Sequence, residues 1–103
     1  MGDFIKHGSG DVYQDIGLPD HASMKIKADI VSRISDIMDE RNLTQRHVAE
    51  ITGIPQGRIS KILNGQFRGI SEYKLLSCLS LLGNNIEIRV TPTNGEQGSI
   101  VFA

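Results

Sequence analysis

Isoleucine recurs at helical spacing from residue 26 onward and predicts the first long helix. Positions i, i+4, i+8, i+11 and i+12 share one face of an α-helix. In this chain those positions are Ile26, Ile30, Ile34, Ile37 and Met38. Charged side chains fill the opposite face, as expected of a solvated surface. The spacing predicts a helix from about Ala22 to Arg41, with Asn42 as a left-handed cap at its C-terminal end.

Two short helices are predicted next, joined by a tight turn. Thr44 is a suitable N-cap for the first of them, because its hydroxyl can accept from the free amides of the first turn. That helix is expected to stop at Gly53, which adopts a positive φ without steric cost. Ile54-Pro55 opens the following helix. Proline has no backbone N–H, and the first turn of a helix does not need that donor. This helix is expected to end at Asn64-Gly65.

The apolar period changes from helix to strand near the C-terminus. A fourth helix is predicted from the N-cap Ser71 to Gly83. Beyond it, Ile86, Ile88 and Val90 alternate with polar residues, which is the period of a half-buried strand. Residues 99–102 form a second apolar run after the turn-rich segment 93–98. The pattern predicts a C-terminal β-hairpin.

A two-stranded hairpin is marginally stable alone in water, so the predicted hairpin needs further apolar surface. A second copy of the same hairpin is the simplest source, and we therefore predict a two-fold homodimer. The predicted dimerisation residues are Ile86, Ile88, Val90, Ile100 and Phe102. In the alternative arrangement, the hairpin folds back on the helices of its own chain in a monomer.

Together with a short semi-apolar segment from Asp11 to Asp20, these elements predict a mainly α fold of about five helices with a C-terminal β-hairpin. Residues 1–10 have no apolar period and three glycines, and are predicted to be a flexible tail. Residues 11–83 are predicted to form the helical domain, and residues 84–103 the hairpin used for dimerisation.

Composition excludes several classes of protein. The 103 residues are enough for one domain, and the apolar runs are too short to span a bilayer. We expect no secretion, because no charged-then-apolar leader opens this sequence, and a single cysteine fits a reducing cytoplasm. No spacing links His7 and His21 to each other or to Cys78 as zinc ligands. Carboxylates and serines are scattered without a catalytic arrangement, so we expect neither an enzyme nor a cofactor.

Charge is unevenly distributed along the chain, although the net charge is only −1. Residues 1–40 hold four Lys/Arg against eight Asp/Glu, a net charge of −4. Residues 41–74 hold six Lys/Arg against two Asp/Glu, a net charge of +4. A local basic face can neutralise phosphates even on a molecule that is nearly neutral as a whole.

The basic third of the chain contains a helix-turn-helix pattern from Thr44 to Gly65. Ala49 is small where two helices cross closely, and Gly53 supplies the left-handed residue of the turn. Apolar residues occupy the inward positions. The outward positions of the second motif helix lack acidic residues, and all except Gly57 can donate a hydrogen bond. These positions are Gln56, Gly57, Arg58, Ser60, Lys61 and Asn64. Such a helix suits the major groove of DNA.

This motif resembles the phage-repressor-like, or Cro-type, helix-turn-helix family, also called the xenobiotic-response-element (XRE) family. Residues before the first helix and after the fourth resemble the subfamily of HigA-like antitoxins and related regulators. The resemblance covers about residues 11–91. It implies that Gln56 and Lys61 contact bases, with Arg58 reaching a base or a phosphate. It further implies that Gln45 contacts phosphate and braces the recognition helix. Gly57 departs from the family pattern, in which a long polar side chain is common.

Phosphate contacts fix the register of a protein on DNA without reading its sequence. The remaining candidates for such contacts are Arg46, Ser60, Asn64 and Arg68, all in or beside the motif. His47 is expected to be an exposed helix residue, and Cys78 a small core residue.

The sequence therefore predicts a homodimeric transcriptional repressor that binds double-stranded operator DNA. The favoured setting is an autoregulating antitoxin, whose acidic segment 1–40 would cover a basic toxin protein. One alternative is a stand-alone phage-type or metabolic regulator without a toxin. The other is a protein-interaction module that has lost DNA binding.

Overall fold

Four helices form the fold in a computed structural model that describes residues 20–103. They are α1 (Asp20–Arg41), α2 (Gln45–Thr52), α3 (Gln56–Leu63) and α4 (Glu72–Leu81). The predicted flexible tail, and the first residues of the predicted helical domain, lie outside the described residues. The boundaries of all four helices lie within about two residues of those predicted.

The isoleucine stripe of α1 packs into the core, as predicted. Ile26, Ile30, Ile34 and Ile37 are all buried, and the β-branched Val31 joins them. Asn42 follows the helix with a φ of 55°, which confirms the predicted left-handed cap. Although α1 is 22 residues long, neither it nor any other helix within residues 20–103 is apolar enough to cross a membrane.

Polar caps fix where the shorter helices begin. The Thr44 hydroxyl accepts a hydrogen bond from the His47 amide at 3.1 Å, and the Ser71 hydroxyl accepts one from the Lys74 amide at 3.0 Å. The His47 imidazole completes a capping box, because its Nδ1 accepts from the Thr44 amide at 3.0 Å. His47, predicted only to be an exposed helix residue, therefore also caps the start of α2.

The core lies between α1 and the other three helices. The contacts of α1 are mainly with α4 and also with α3, while α2 packs on α3 and α4. Ile30, Val48 and Leu75 are almost completely inaccessible to solvent and mark the centre of this core. Cys78 is buried beside them, which confirms its predicted place in the core. The core therefore holds α2 and α3 against a frame formed by α1 and α4.

Buried polar contacts tie α1 to the segment that follows α3. The Ser23 hydroxyl donates to Glu72 Oε2 at 2.6 Å, and the Lys27 ammonium donates to the Arg68 carbonyl at 2.9 Å. Ser23, Lys27 and Glu72 are all more than nine-tenths buried. At the other end of α1, the Arg41 guanidinium donates to the Leu82 carbonyl. These bonds fix α1 at both ends against α4 and the loop before it.

The predicted combination of five helices and a C-terminal β-hairpin is wrong. Residues 20–103 contain four helices and no strand, and residues 84–103 have no regular secondary structure. Alternating polarity stabilises a strand only when one face is buried. Ile88 is 81% exposed and Val90 is 92% exposed, so neither face of this segment gains burial energy within the chain. Without that energy, two short strands do not pair.

The five predicted dimerisation residues do not share one environment. Ile86, Ile88, Val90 and Ile100 are exposed, whereas Phe102 is half-buried and packs against the helical core. The C-terminal segment therefore contacts the helices of its own chain at Phe102, whereas the other four predicted dimerisation residues stay exposed.

Candidate nucleic-acid interface

The turn between α2 and α3 is held by a short network of hydrogen bonds. Gly53 adopts a φ of 78°, and its amide donates to the Ala49 carbonyl at 2.8 Å. The Thr52 hydroxyl donates to the Val48 carbonyl at 2.7 Å and accepts from the Ile54 amide at 3.3 Å. The side chain of Thr52 thus bridges the end of α2 to the start of the next segment, which sets the angle between the two helices.

The two faces of α3 differ sharply in burial and polarity. Ile59 and Ile62 are 5% and 4% exposed and anchor the helix in the core. The predicted base-contacting residues Gln56, Arg58 and Lys61 are all exposed, as is Asn64 at the end of the helix. Ser60 is half-buried. A rigidly anchored helix with an exposed row of donors has the form needed for contact with the edges of bases.

The electrostatics of α3 favour an anion. Residues 51–71 contain Arg58, Lys61 and Arg68 but no Asp or Glu. Within residues 20–103, neither Arg58 nor Lys61 forms an ion pair. Their charges are therefore available to an external partner rather than being neutralised by neighbours on the same surface.

Two of the predicted phosphate-contacting arginines have acidic neighbours. Arg46 Nε lies 3.7 Å from Glu50 on α2, and Arg68 Nη1 lies 2.7 Å from Asp20 at the start of α1. All four side chains are well exposed, so water and salt screen both pairs. Such exposed pairs contribute only about 0–1 kcal/mol to stability, so a DNA phosphate can replace the carboxylate as the partner of either arginine.

Gln45 lies at the start of α2 and is half-buried. Within the described residues, no hydrogen bond joins its side chain to α3. The bracing role that the family resemblance implies therefore has no direct bond to support it here, and contact with phosphate stays a prediction.

A depression of about 420 Å³ lies beside the exposed face of α3. Its lining includes Gly57, Arg58 and Lys61 of α3 together with Gln66 and Gly69 of the following loop. Gln66 lies in a predicted loop and is not among the predicted DNA contacts. The signal was the Asn-Gly pair, which favours a helix ending in which the chain folds back. Accordingly, Gly65 has a φ of 98°, and the Gln66 amide donates to the Lys61 carbonyl at 2.8 Å.

Comparison with known proteins agrees with this geometry. A family model described as a helix-turn-helix domain matches residues 12–91. A solved structure of an XRE-family transcriptional regulator superposes with a TM-score of 0.72 at 22% sequence identity. The match covers 82% of this chain and 96% of the solved chain. No curated protein matches the sequence. The chain belongs to the helix-turn-helix domain family, and it shares the fold of that solved structure.

Proposed function

We propose that this protein is a DNA-binding transcriptional repressor that places α3 in the major groove of operator DNA. The observation that carries the proposal is the exposed row of Gln56, Arg58 and Lys61, on a helix whose opposite face is fixed in the core. The family and the fold support a DNA-binding regulator. No acidic residue lies on α3 or in the loops on either side of it to repel phosphates.

The proposed base contacts are made by Gln56 and Lys61, with Arg58 at the edge of the row. A glutamine amide can bond an adenine in a bidentate manner, and lysine favours the acceptors of guanine. Gln45, Arg46, Ser60, Asn64 and Arg68 are proposed to contact the flanking phosphates. Their contacts would set the register and leave sequence discrimination to α3.

A DNA titration at several salt concentrations tests the proposal. An arbitrary 20-base-pair duplex measures the non-specific affinity, and selection from a randomised duplex pool identifies the preferred sequence. Lys61→Ala and Arg58→Ala should each weaken binding and reduce the salt slope by about 1. Lys25→Ala is the matched control, since Lys25 is also exposed but pairs with Asp29 on α1. Equal binding by all four proteins would favour a protein-interaction module without DNA binding.

We further propose that the protein acts as a homodimer through its exposed C-terminal apolar residues. One recognition helix reads only a few base pairs, whereas two half-sites about 34 Å apart give useful specificity. Ile86, Ile88, Val90 and Ile100 are available to a second copy because they are exposed in one chain. Phe102 would act indirectly, by holding the segment against the helices.

The finer biological setting that we propose is an autoregulating antitoxin. The end of α1 supports this role, because Asp36, Asp39 and Glu40 are all exposed and could bind a basic toxin. The product of a neighbouring reading frame is the partner to test in a pull-down with the full chain. Charge reversal of these three residues should release such a toxin without affecting DNA binding. A protein that binds DNA but no neighbouring product would be a stand-alone regulator.

A further inference from the structure

Two glycines border the depression beside α3 without any requirement from the fold. A Cβ built on Gly57 or Gly69 would have no atom within 4 Å, and neither residue has a positive φ. Gly53 and Gly65, in contrast, have φ values of 78° and 98° that favour glycine. Gly57 also lies inside α3, where glycine destabilises a helix by up to about 1 kcal/mol relative to alanine. The fold would accept larger residues at both positions.

The depression has the chemistry of an anion site. Arg58 and Lys61 provide two positive charges to its lining, and the side-chain amide of Gln66 provides a neutral donor. Ile62 and Ile70 contribute to the lining, and among residues 20–103 no acidic residue does. Since neither cation forms an ion pair within residues 20–103, an incoming anion displaces no carboxylate of that segment.

We propose that this depression seats a phosphodiester group of the DNA backbone, and that Gly57 and Gly69 keep it open for close approach. Arg58 and Gln66 bind the phosphate, while Lys61 lies between this phosphate and the base edges. The inference rests on the proposed DNA-binding function and adds Gln66 to its contacts. It also accounts for the missing side chain at position 57, because any side chain there would extend into the space that the backbone needs.

Substitutions at Gly57 test the inference, because their effects on folding and on binding have opposite signs. Gly57→Ala and Gly57→Leu replace glycine with strong helix formers and should maintain or raise the melting temperature. Both should nevertheless weaken binding to the 20-base-pair duplex, several-fold for alanine and more for leucine, and reduce the salt slope by about 1. Gly98→Ala is the control, since Gly98 is equally open but lies in the C-terminal segment.

Two further measurements identify the ligand and its contacts. Gln66→Ala should weaken duplex binding several-fold with little change in the salt slope, because the amide carries no charge. Inorganic phosphate added at constant ionic strength should not displace the duplex, since the proposed ligand is a phosphate held by the DNA backbone. Displacement by inorganic phosphate would instead assign the depression to a free anion and overturn the inference.

The outcomes separate this inference from the function on which it rests. If the unmodified protein shows no salt-dependent affinity for the duplex, both the proposed function and the inference fail. If it binds and Lys61→Ala weakens binding, while the Gly57 variants bind as tightly as the unmodified protein, only the inference fails. Weaker binding by stably folded Gly57 variants supports both.

Discussion

The pair of Thr44 and His47 illustrates how single residues decide where the recognition motif begins. Each residue satisfies a backbone or side-chain group of the other, through bonds of 3.0–3.1 Å. The bond from the Thr44 amide requires an unprotonated Nδ1 on His47, so the imidazole acts as an acceptor in place of the usual glutamate or glutamine.

Removing this cap should destabilise the protein measurably. We expect Thr44→Ala to lower the free energy of unfolding by about 1 kcal/mol, because the His47 amide loses its acceptor at the start of α2. Thr44→Ser keeps the hydroxyl and should stay close to the unmodified protein. Urea denaturation followed by circular dichroism measures both. Equal stability of all three proteins would contradict a capping role for the hydroxyl.

The bond between Ser23 and Glu72 has a larger expected effect, because it is buried. Glu72 Oε1 has no hydrogen-bond partner in the described part of the chain, so within residues 20–103 this carboxylate side chain accepts its hydrogen bond from Ser23, through Oε2. Ser23→Ala should therefore cost about 1–3 kcal/mol or more of unfolding free energy. Ser32→Ala, on an exposed position of the same helix, is the control. Urea denaturation with no difference between the two variants would mean that water replaces the hydroxyl.

At the level of the elements, the helices could be predicted because their signals are local. The isoleucine period of α1, the caps Thr44 and Ser71, and the positive-φ positions Asn42 and Gly53 each depend on a few neighbouring residues. The outward face of α3 follows from its own helical period, and Gln56, Arg58 and Lys61 are all exposed, as that period predicts.

The errors arose where structure depends on distant contacts. Alternation at Ile86, Ile88 and Val90 has the correct period for a strand but lacks a surface to cover it within the chain. The ion pair of Arg68 with Asp20 joins residues 48 positions apart, which no local pattern indicates. The depression bordered by Gln66 and Gly69 likewise depends on the way the loop folds back over α3.

At the scale of the whole molecule, we expect self-association through the exposed apolar residues of the C-terminal segment. Ile88→Asp with Val90→Asp should convert a dimer to a monomer, because a carboxylate is costly to bury in an apolar interface. The change is directed at two side chains that are 81% and 92% exposed in the single chain, so the helical fold should survive. Sedimentation at micromolar concentration measures the mass.

The controls for this experiment lie on the alternate positions of the same segment. Glu87→Gln with Arg89→Gln changes charge without removing apolar surface and should leave the dimer intact. If the unmodified protein sediments as a monomer, the predicted dimer is wrong, and the C-terminal segment acts only within one chain.

The single cysteine gives the molecule a built-in reporter of its own opening. Cys78 is 3% exposed between α1 and the remainder of the core, and burial raises the pKa of its thiol, although the nearby Lys74 ammonium partly opposes the rise. A thiolate-selective reagent therefore finds almost no target until the helices separate. The rate of labelling then reports how often the helices separate. A ligand that stabilises the packed helices lowers this rate. The effects of operator DNA, a toxin or a second copy of the chain on stability could thus be compared by the labelling rate of Cys78 in the presence of each.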